Sequence, residues 1–204
     1  MRIISGTHKG RKIETIPMEG LRPSSDRLRN GLFSALTSRR DLTNCRILDL
    51  YAGTGALGIE ALSRGARHAT FIESNKKLIN CLRDTLQKFG LTPQARVISG
   101  DLPGILSNLN GQEPFDVVFA DAPYELNVTY LGAALKNVGA IVSGTDLVVE
   151  TSKRAPSLTG STDEDSVDPE QVLKLVRELR YGDSLVRLYE YCYTGGDLPD
   201  FDGE

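Results

Sequence analysis

The stretch Arg46-Ile-Leu-Asp-Leu-Tyr-Ala-Gly-Thr-Gly-Ala-Leu-Gly58 decides the fold of this chain. It begins with an apolar run at 47–50, which is typical of a buried strand in a parallel sheet. Three glycines follow with the spacing G-x-G-x-x-G, and a helix-forming run covers 56–64. Glycines at this spacing allow a tight turn and a close approach of a ligand to the backbone. The stretch therefore predicts a nucleotide-like ligand, although the motif alone does not identify it.

The rest of the chain alternates between short apolar strands and helices. Further strands are predicted at about 69–73, 95–101, 115–120 and 146–150, and further helices at about 75–89, 102–109 and 127–137. Segments 172–180 and 184–193 predict an antiparallel hairpin. Strand–helix alternation produces right-handed crossovers, so we expect an α/β fold with a doubly wound, mostly parallel seven-stranded sheet that ends in an antiparallel hairpin. Such a sheet resembles that of Rossmann-like, S-adenosylmethionine-dependent methyltransferases.

A basic N-terminal segment precedes this pattern. The formal net charge is −3 for the whole chain but +6 for residues 1–40. Residues 2–16 predict a small β-hairpin, and residues 21–36 predict a helix with one apolar stripe. Because lysine and arginine neutralise phosphates, RNA is the expected partner, with a solvated basic face as the alternative. The candidate RNA-binding residues are Lys9, Arg11, Lys12, Arg22, Arg27 and Arg29.

The composition is that of an intracellular globular protein. The chain has 204 residues, of which 40% are hydrophobic and 25% are charged. No apolar run approaches the roughly 20 residues that span a bilayer, and the N-terminus lacks an apolar signal sequence, so we expect a cytoplasmic protein. The three cysteines follow no C-x-x-C pattern and predict free thiols without a metal site.

Three acidic residues lie at or near the ends of predicted strands, where ligands bind in sheets of this kind. Asp49 lies inside the first strand and suits a ligand that carries an amine or a cation, unless it caps the next helix. Glu73 ends the second strand, where an acidic residue accepts ribose hydroxyls. Asp101 suits either an adenine amino group or a helix cap. The candidate cofactor-binding residues are Asp49, Tyr51, Ala52, Gly53, Thr54, Gly55, Glu73, Ser74, Asp101 and Leu102.

The tetrapeptide Asp121-Ala122-Pro123-Tyr124 follows the fourth strand and gives the strongest indication of chemistry. The Asp121 carboxylate and the Ala122 carbonyl can each accept one N–H of an exocyclic base amine, which directs the nitrogen lone pair toward an electrophilic methyl group. Tyr124 offers a flat face for an unstacked base, and Pro123 stiffens the segment. We predict that these four residues form the catalytic group; a simple strand-ending turn is the structural alternative.

The chain resembles the RsmD-type family of bacterial 16S ribosomal RNA guanine-N2 methyltransferases over most of residues 1–193. The resemblance rests on Arg2-Ile-Ile-Ser-Gly with Gly10-Arg-Lys, on 21–33, on 48–65 and on 117–124. It implies methylation of one guanine N2 with S-adenosylmethionine as cofactor, in a small ribosomal subunit or an assembly intermediate, by a monomer without a metal. Ala122 departs from the family pattern, which has proline there. The sequence itself predicts an RNA-contacting extension at 1–40, a methyltransferase domain at 41–193 and a disordered acidic tail at 194–204, a tail that the family lacks.

Three other functions remain open at this point. The first is an amino-methyltransferase that acts on adenine N6 or on another RNA or DNA base. The second is a non-catalytic RNA-binding ribosome assembly factor that retains the fold, for which Ala122 is the only support. The third is an NAD-dependent dehydrogenase, but Asp49 and the Asp121 motif count against it, and NAD-binding domains usually continue with another parallel strand–helix unit.

Overall fold

The computed structural model describes residues 1–16, 26–122, 130–152, 171–182 and 184–193. The helices within these ranges are α1 (Asp26–Thr37), α2 (Ala56–Ser63), α3 (Lys76–Phe89) and α4 (Leu131–Asn137). The strands are β1 (Arg46–Leu50), β2 (His68–Glu73), β3 (Ala95–Ser99), β4 (Val117–Asp121), β5 (Asp146–Ser152), β6 (Gln171–Tyr181) and β7 (Ser184–Tyr193). Short 3₁₀ turns cover Thr92–Gln94 and Gly104–Leu109.

The seven strands form one sheet in the order β3-β2-β1-β4-β5-β7-β6. Neighbours from β3 to β5 are parallel, whereas β7 runs antiparallel to both β5 and β6. This confirms the predicted doubly wound, mostly parallel sheet with a terminal antiparallel hairpin. Parallel pairing brings equivalent strand ends together. We call the edge that holds residues 51–55, Glu73 and Asp121 the carboxyl-end edge, and the opposite edge, with Arg46, Asp116 and Asp146, the amino-end edge.

Successive residues of the central strands face opposite sides of the sheet, and both sides are covered. Ile47 and Phe119 lie in one core together with residues of α1, α2 and α3. Leu48 and Val118 lie in a second core together with residues of α4. Strands that are buried on both faces explain why the apolar runs in the sequence are continuous rather than alternating.

Residues 1–13 form the predicted N-terminal hairpin, which has one antiparallel bridge between Arg2 and Lys12. The Ile3 N–H donates to the carbonyl of Arg11 at 3.0 Å, and the Gly10 N–H donates to the carbonyl of Ile3 at 2.8 Å. These bonds complete a short two-stranded unit.

The turn of this hairpin docks on Ser63, the last residue of α2. The N–H of Thr7 donates to the Ser63 carbonyl at 2.8 Å, and the N–H of His8 donates to Ser63 Oγ at 3.0 Å. The His8 ring also stacks on Phe89, the last residue of α3, at 5.4 Å between centroids. Because α2 and α3 end where the chain turns back to begin β2 and β3, the hairpin turn lies at the amino-end edge.

Several predicted features lie outside the described residues. They are Arg22, Pro123, Tyr124, the polar loop at 155–169 and the tail at 194–204. The division into an extension, a main domain and a tail therefore stays a prediction. None of the helices that the structure describes is both long and apolar enough to cross a membrane.

Candidate active site

The three glycines that follow β1 have two different roles. Gly53 and Gly55 have φ angles of 57° and 75°, so the chain turns tightly from strand to helix in a conformation that favours glycine. A Cβ atom at Gly53 would have the Tyr51 carbonyl at 3.9 Å as its nearest neighbour. A Cβ atom at Gly58 would lie 2.3 Å from the Phe71 ring. Gly53 therefore borders space that a ligand can enter, whereas Gly58 allows α2 to pack closely against β2.

Asp49 faces α2 from inside β1 and is only 2% exposed. Its Oδ2 accepts a hydrogen bond from the Gly58 N–H at 2.9 Å, so the helix-capping alternative is observed. Burial raises the pKa of Asp49 well above its ordinary value; the Gly58 N–H offsets part of this, and the carboxyls of Asp121 and Glu73 raise it further. A buried carboxyl beside two like charges is suited to a ligand that brings an amine or a cation.

Three backbone N–H groups orient the carboxylate of Glu73. Oε2 accepts from Gly53 at 2.8 Å, and Oε1 accepts from Ser74 at 3.0 Å and from Asn75 at 2.8 Å. These bonds connect the end of β2 to the glycine loop and hold acceptor oxygens beside the open space at Gly53. The arrangement suits hydroxyl donors such as those of a ribose.

The remaining predicted cofactor residues surround this loop or follow β3. Ala52 and Thr54 are buried, at 9% and 6% exposure. Asp101 is exposed, and its backbone carbonyl accepts from the N–H of Ile105 at 3.1 Å. Leu102 packs, half-buried, against the core on the α4 side of the sheet.

Asp121 ends β4 beside the glycine loop. Ala120 pairs with Leu50, the last residue of β1, and Asp121 pairs with Glu150 of β5. Asp121 is half-buried, and the following residue, Ala122, is 5% exposed. The structure therefore brings Asp49, Glu73 and Asp121 to one edge of the sheet, although they are far apart in the sequence.

Tyr130 also contributes to this edge but is absent from the predicted site. Its hydroxyl lies 3.0 Å from the hydroxyl of Tyr51. Tyr51 has a φ of 56°, which is uncommon for a residue with a side chain. Burial, together with the hydrogen bond to Tyr130, raises the pKa of Tyr51 above its ordinary value. Nothing in the sequence around Tyr130 indicates a partner, because the contact depends on how α4 is placed.

Most of the described candidate RNA-binding residues are exposed. Lys9, Lys12 and Arg27 extend from the N-terminal segment into solvent. The exposed Arg11 lies over the Phe89 ring at 4.0 Å and donates to the Lys88 carbonyl at 2.6 Å. Arg11 therefore helps to dock the hairpin, which adds a structural role to the predicted one.

The predicted RNA contact at Arg29 is corrected by the structure, because this side chain is 0% exposed. Its Nη2 donates to the Arg2 carbonyl and to Asp26 Oδ1, each at 2.7 Å, and its Nη1 lies 3.9 Å from Glu60 Oε2. Glu60 is equally buried and accepts the N–H groups of Ile4 at 2.7 Å and Ser5 at 3.0 Å. Arg29 therefore connects α1 to the hairpin and cannot reach a phosphate.

Two further observations bear on ligands and cofactors. Among the residues in the described ranges, no cluster of three or more histidine, cysteine, aspartate or glutamate side chains could hold a metal ion. The three cysteines, Cys45, Cys81 and Cys192, are free thiols, as predicted.

The sheet order and the glycine loop define the Rossmann-like methyltransferase fold. The family model described as "Conserved hypothetical protein 95" matches residues 1–190, and the chain belongs to this family. The resemblance to RsmD-type proteins is thereby confirmed.

Named relatives and solved structures agree with this family. The "Ribosomal RNA small subunit methyltransferase D" of Haemophilus influenzae is 38% identical over 161 residues, which cover 78% of this chain and 82% of the relative. The protein of the same name from Escherichia coli is 37% identical over 124 residues, covering 61% of this chain and 60% of the relative. The structure of Escherichia coli yhhF, provisionally named a methyltransferase, superposes with a TM-score of 0.74 at 31% identity, covering 95% of this chain and 98% of that chain.

Proposed function

We propose that this protein transfers a methyl group from S-adenosylmethionine to the exocyclic N2 of a guanine in 16S ribosomal RNA. The observation that carries the proposal is the position of Asp121, at the end of β4 and beside the glycine loop that ends β1. The names of the relatives support the substrate class, since they are small-subunit ribosomal RNA methyltransferases. The enzyme would act in the cytoplasm as a monomer without a metal ion.

The residues at the carboxyl-end edge fit such a cofactor. The open space at Gly53 admits it, and Asp49, Glu73 and Asp101 would accept hydrogen bonds from its amine and hydroxyl groups. When bound, S-adenosylmethionine supplies an electrophilic methyl group. Asp121 and the Ala122 carbonyl would each accept one N–H of the target amine, which orients its lone pair and stabilises positive charge on nitrogen. Tyr124 would stack on the base.

The exposed cations Lys9, Lys12 and Arg27, together with Arg22, would contact RNA phosphates. Lys9 belongs to the hairpin turn at the amino-end edge, whereas Asp121 lies at the carboxyl-end edge. The substrate would thus contact the protein at a site remote from the target base as well as at the base itself.

The decisive experiment is methyl transfer in vitro, followed by mapping of the modified nucleotide. Purified protein would be incubated with tritiated S-adenosylmethionine and with 16S RNA or 30S particles from cells that lack the corresponding enzyme. We expect label on guanine N2, identified by mass spectrometry of nucleosides. Label on adenine would favour the adenine N6 alternative, and cofactor binding without transfer would favour the assembly factor.

Asp121→Ala tests the proposed catalytic role. We expect transfer to fall by about 100-fold or more, as for loss of a group that stabilises transition-state charge. Affinity for S-adenosylmethionine, measured by calorimetry, should change by less than about threefold, since Asp121 is proposed to bind the target amine and not the cofactor. Asp84→Ala, which removes an exposed carboxylate from α3, is the matched control. Equal losses of transfer and cofactor affinity in Asp121→Ala would move Asp121 into the cofactor site.

A further inference from the structure

Two tyrosine hydroxyls meet at the carboxyl-end edge, and the mechanism described so far uses neither of them. The oxygens of Tyr51 and Tyr130 lie 3.0 Å apart, which is hydrogen-bond distance. Both side chains are half-buried against the core on the α4 side of the sheet, where Leu102 also packs. The bond is therefore partly shielded from water that would compete for it.

The backbone of Tyr51 indicates that this placement is specific. Its φ of 56° lies in the left-handed region, where a residue with a Cβ atom is disfavoured. Such conformations persist when the surrounding structure requires them, and they cluster at ligand sites. Here the next residue, Ala52, donates its N–H to the Ile72 carbonyl at 3.0 Å, which holds the end of β1 against β2. The turn carries the Tyr51 ring toward the α4 side, where its hydroxyl meets Tyr130.

The position of Tyr130 in the chain indicates what its contact with Tyr51 does. Tyr130 immediately precedes α4, and the sequence from Asp121 to Tyr130 contains the whole candidate target-base motif. At one end of this sequence, β4 pairs with β1 through Ala120 and Leu50. At the other end, Tyr130 is joined to β1 through Tyr51. Both ends are thus tied to the strand that carries the glycine loop.

We propose that Tyr130 is a positioning residue that acts through Tyr51 and fixes the start of α4 relative to the glycine loop. This inference rests on the proposed methyl transfer. The pair would hold the cofactor side and the target-base side of the site at a constant separation, which matters because in-line transfer depends on small distances between reacting atoms.

A double-mutant cycle with Tyr51→Phe and Tyr130→Phe tests the pair. Each substitution keeps the ring and removes one hydroxyl, so either one removes the same hydrogen bond. We expect kcat for RNA methylation to fall by about threefold to tenfold, which is the factor that one hydrogen bond is worth. The fall should be the same in both single variants and in the double variant. KM for RNA should stay within about twofold, because the pair does not contact the exposed cations that would bind phosphates.

Tyr181→Phe is the matched control, since its hydroxyl packs against Gly31 of α1 and its ring packs against the core on the opposite face of the sheet from Tyr51 and Tyr130. It should leave kcat at the wild-type value. Wild-type kcat in either Tyr51→Phe or Tyr130→Phe would overturn the proposal, as would losses that multiply in the double variant.

A wild-type protein that binds S-adenosylhomocysteine but methylates no ribosomal RNA would refute the proposed function. It would not yet test the positioning role of the Tyr51–Tyr130 pair. The same cycle is then measured on S-adenosylhomocysteine affinity by calorimetry. Equal losses in the single and double variants would support a link between Tyr130 and the glycine loop. A loss of S-adenosylhomocysteine affinity in Tyr51→Phe alone, or losses of binding free energy that add in the double variant, would reject this link.

Discussion

The two edges of the sheet hold buried aspartates in opposite electrostatic settings. At the amino-end edge, Asp146 is 1% exposed and accepts from Arg40 Nε at 2.8 Å and from Arg39 Nη2 at 3.3 Å. At the carboxyl-end edge, Asp49 is 2% exposed, and its Oδ2 accepts a hydrogen bond from the backbone N–H of Gly58. Its charged neighbours there are the carboxyls of Asp121 and Glu73.

The difference separates structural carboxylates from candidate functional ones. A buried charge with a cationic partner is compensated within the fold, whereas burial beside other carboxyls disfavours ionisation. The protein tolerates that penalty at the edge where the glycine loop opens to a ligand. Clusters of buried carboxyls that disfavour one another's ionisation therefore mark candidate ligand sites more reliably than a count of acidic residues does.

The largest effect on stability is expected from Asp146→Asn. This change leaves Arg40 and Arg39 without their buried anion, and breaking one partner of a buried ion pair destabilises by about 3 kcal/mol. Urea unfolding should show this loss, while methyl transfer measured below the unfolding transition should be retained.

Glu113→Gln is the control for that change, because Glu113 pairs with Arg46 and Arg67 but its side chain is 68% exposed. A loss below about 1 kcal/mol is expected there. If Asp146→Asn were no more destabilising than Glu113→Gln, the buried carboxylate at the amino-end edge would not stabilise the fold as described.

Gly6→Ala should disturb the hairpin that docks at the amino-end edge. A Cβ atom at Gly6 would lie 1.7 Å from the Ser63 carbonyl, whereas one at Gly10 would meet none of the residues that the structure describes within 4 Å. Both glycines have nearly the same φ, +82° and +83°, so Gly10→Ala reproduces the backbone strain without the clash. We expect Gly6→Ala to be less stable than Gly10→Ala by about 2 kcal/mol in urea unfolding. Equal stabilities would mean that the hairpin is not part of the cooperative fold.

Asp49→Asn should produce a smaller, pH-dependent effect at the carboxyl-end edge. The pKa of Asp49 is raised in the folded state, so its contribution to stability is complete at low pH and is lost as the pH rises through the folded-state pKa. Asparagine keeps the acceptor for Gly58 and cannot ionise. The thermal midpoint of Asp49→Asn, relative to wild type, should therefore rise between pH 4 and pH 8, while affinity for S-adenosylmethionine falls. A pH-independent difference would show that the charge at Asp49 carries no penalty.

The smallest effect is expected from surface cations. Arg27→Glu should weaken RNA binding by about threefold to tenfold and reduce the slope of affinity against salt concentration. Arg67→Glu is the comparison, because Arg67 is exposed at the amino-end edge and is already paired with Glu113 at 2.7 Å. Filter binding at several salt concentrations measures both. Equal weakening by the two changes would mean that the effect reflects overall surface charge and not a specific RNA contact at Arg27.

The sequence predicted the fold almost completely, because each strand and helix carries its own local signal. The apolar run at 47–50 becomes β1, Asn75 and Gly90 limit α3, and the turn after Tyr181 joins β6 to β7. The strand ends also predicted which carboxylates would meet. Local pattern and sheet topology are sufficient for these features, since parallel strands bring equivalent ends to one edge.

Side-chain partners between distant segments could not be predicted in this way. Arg29 lies outside the apolar stripe of α1, yet it is buried because the hairpin and Glu60 close over it. Tyr130 meets Tyr51 only because α4 packs beside the glycine loop. By contrast, the sequence did offer the capping of α2 by Asp49 as an alternative, and the close packing of Gly58 against Phe71 allows it.

Helix α2 has a consequence for how loss-of-function variants of this protein should be interpreted. All eight of its residues are buried, with the glycine loop before it and the hairpin anchor Ser63 at its end. Almost any substitution there disturbs packing, even though none of its side chains is assigned to the chemistry. In a saturation mutagenesis screen scored by activity, α2 would thus appear as intolerant as the carboxyl-end edge. Protein abundance must be measured in the same cells before such positions are assigned to catalysis.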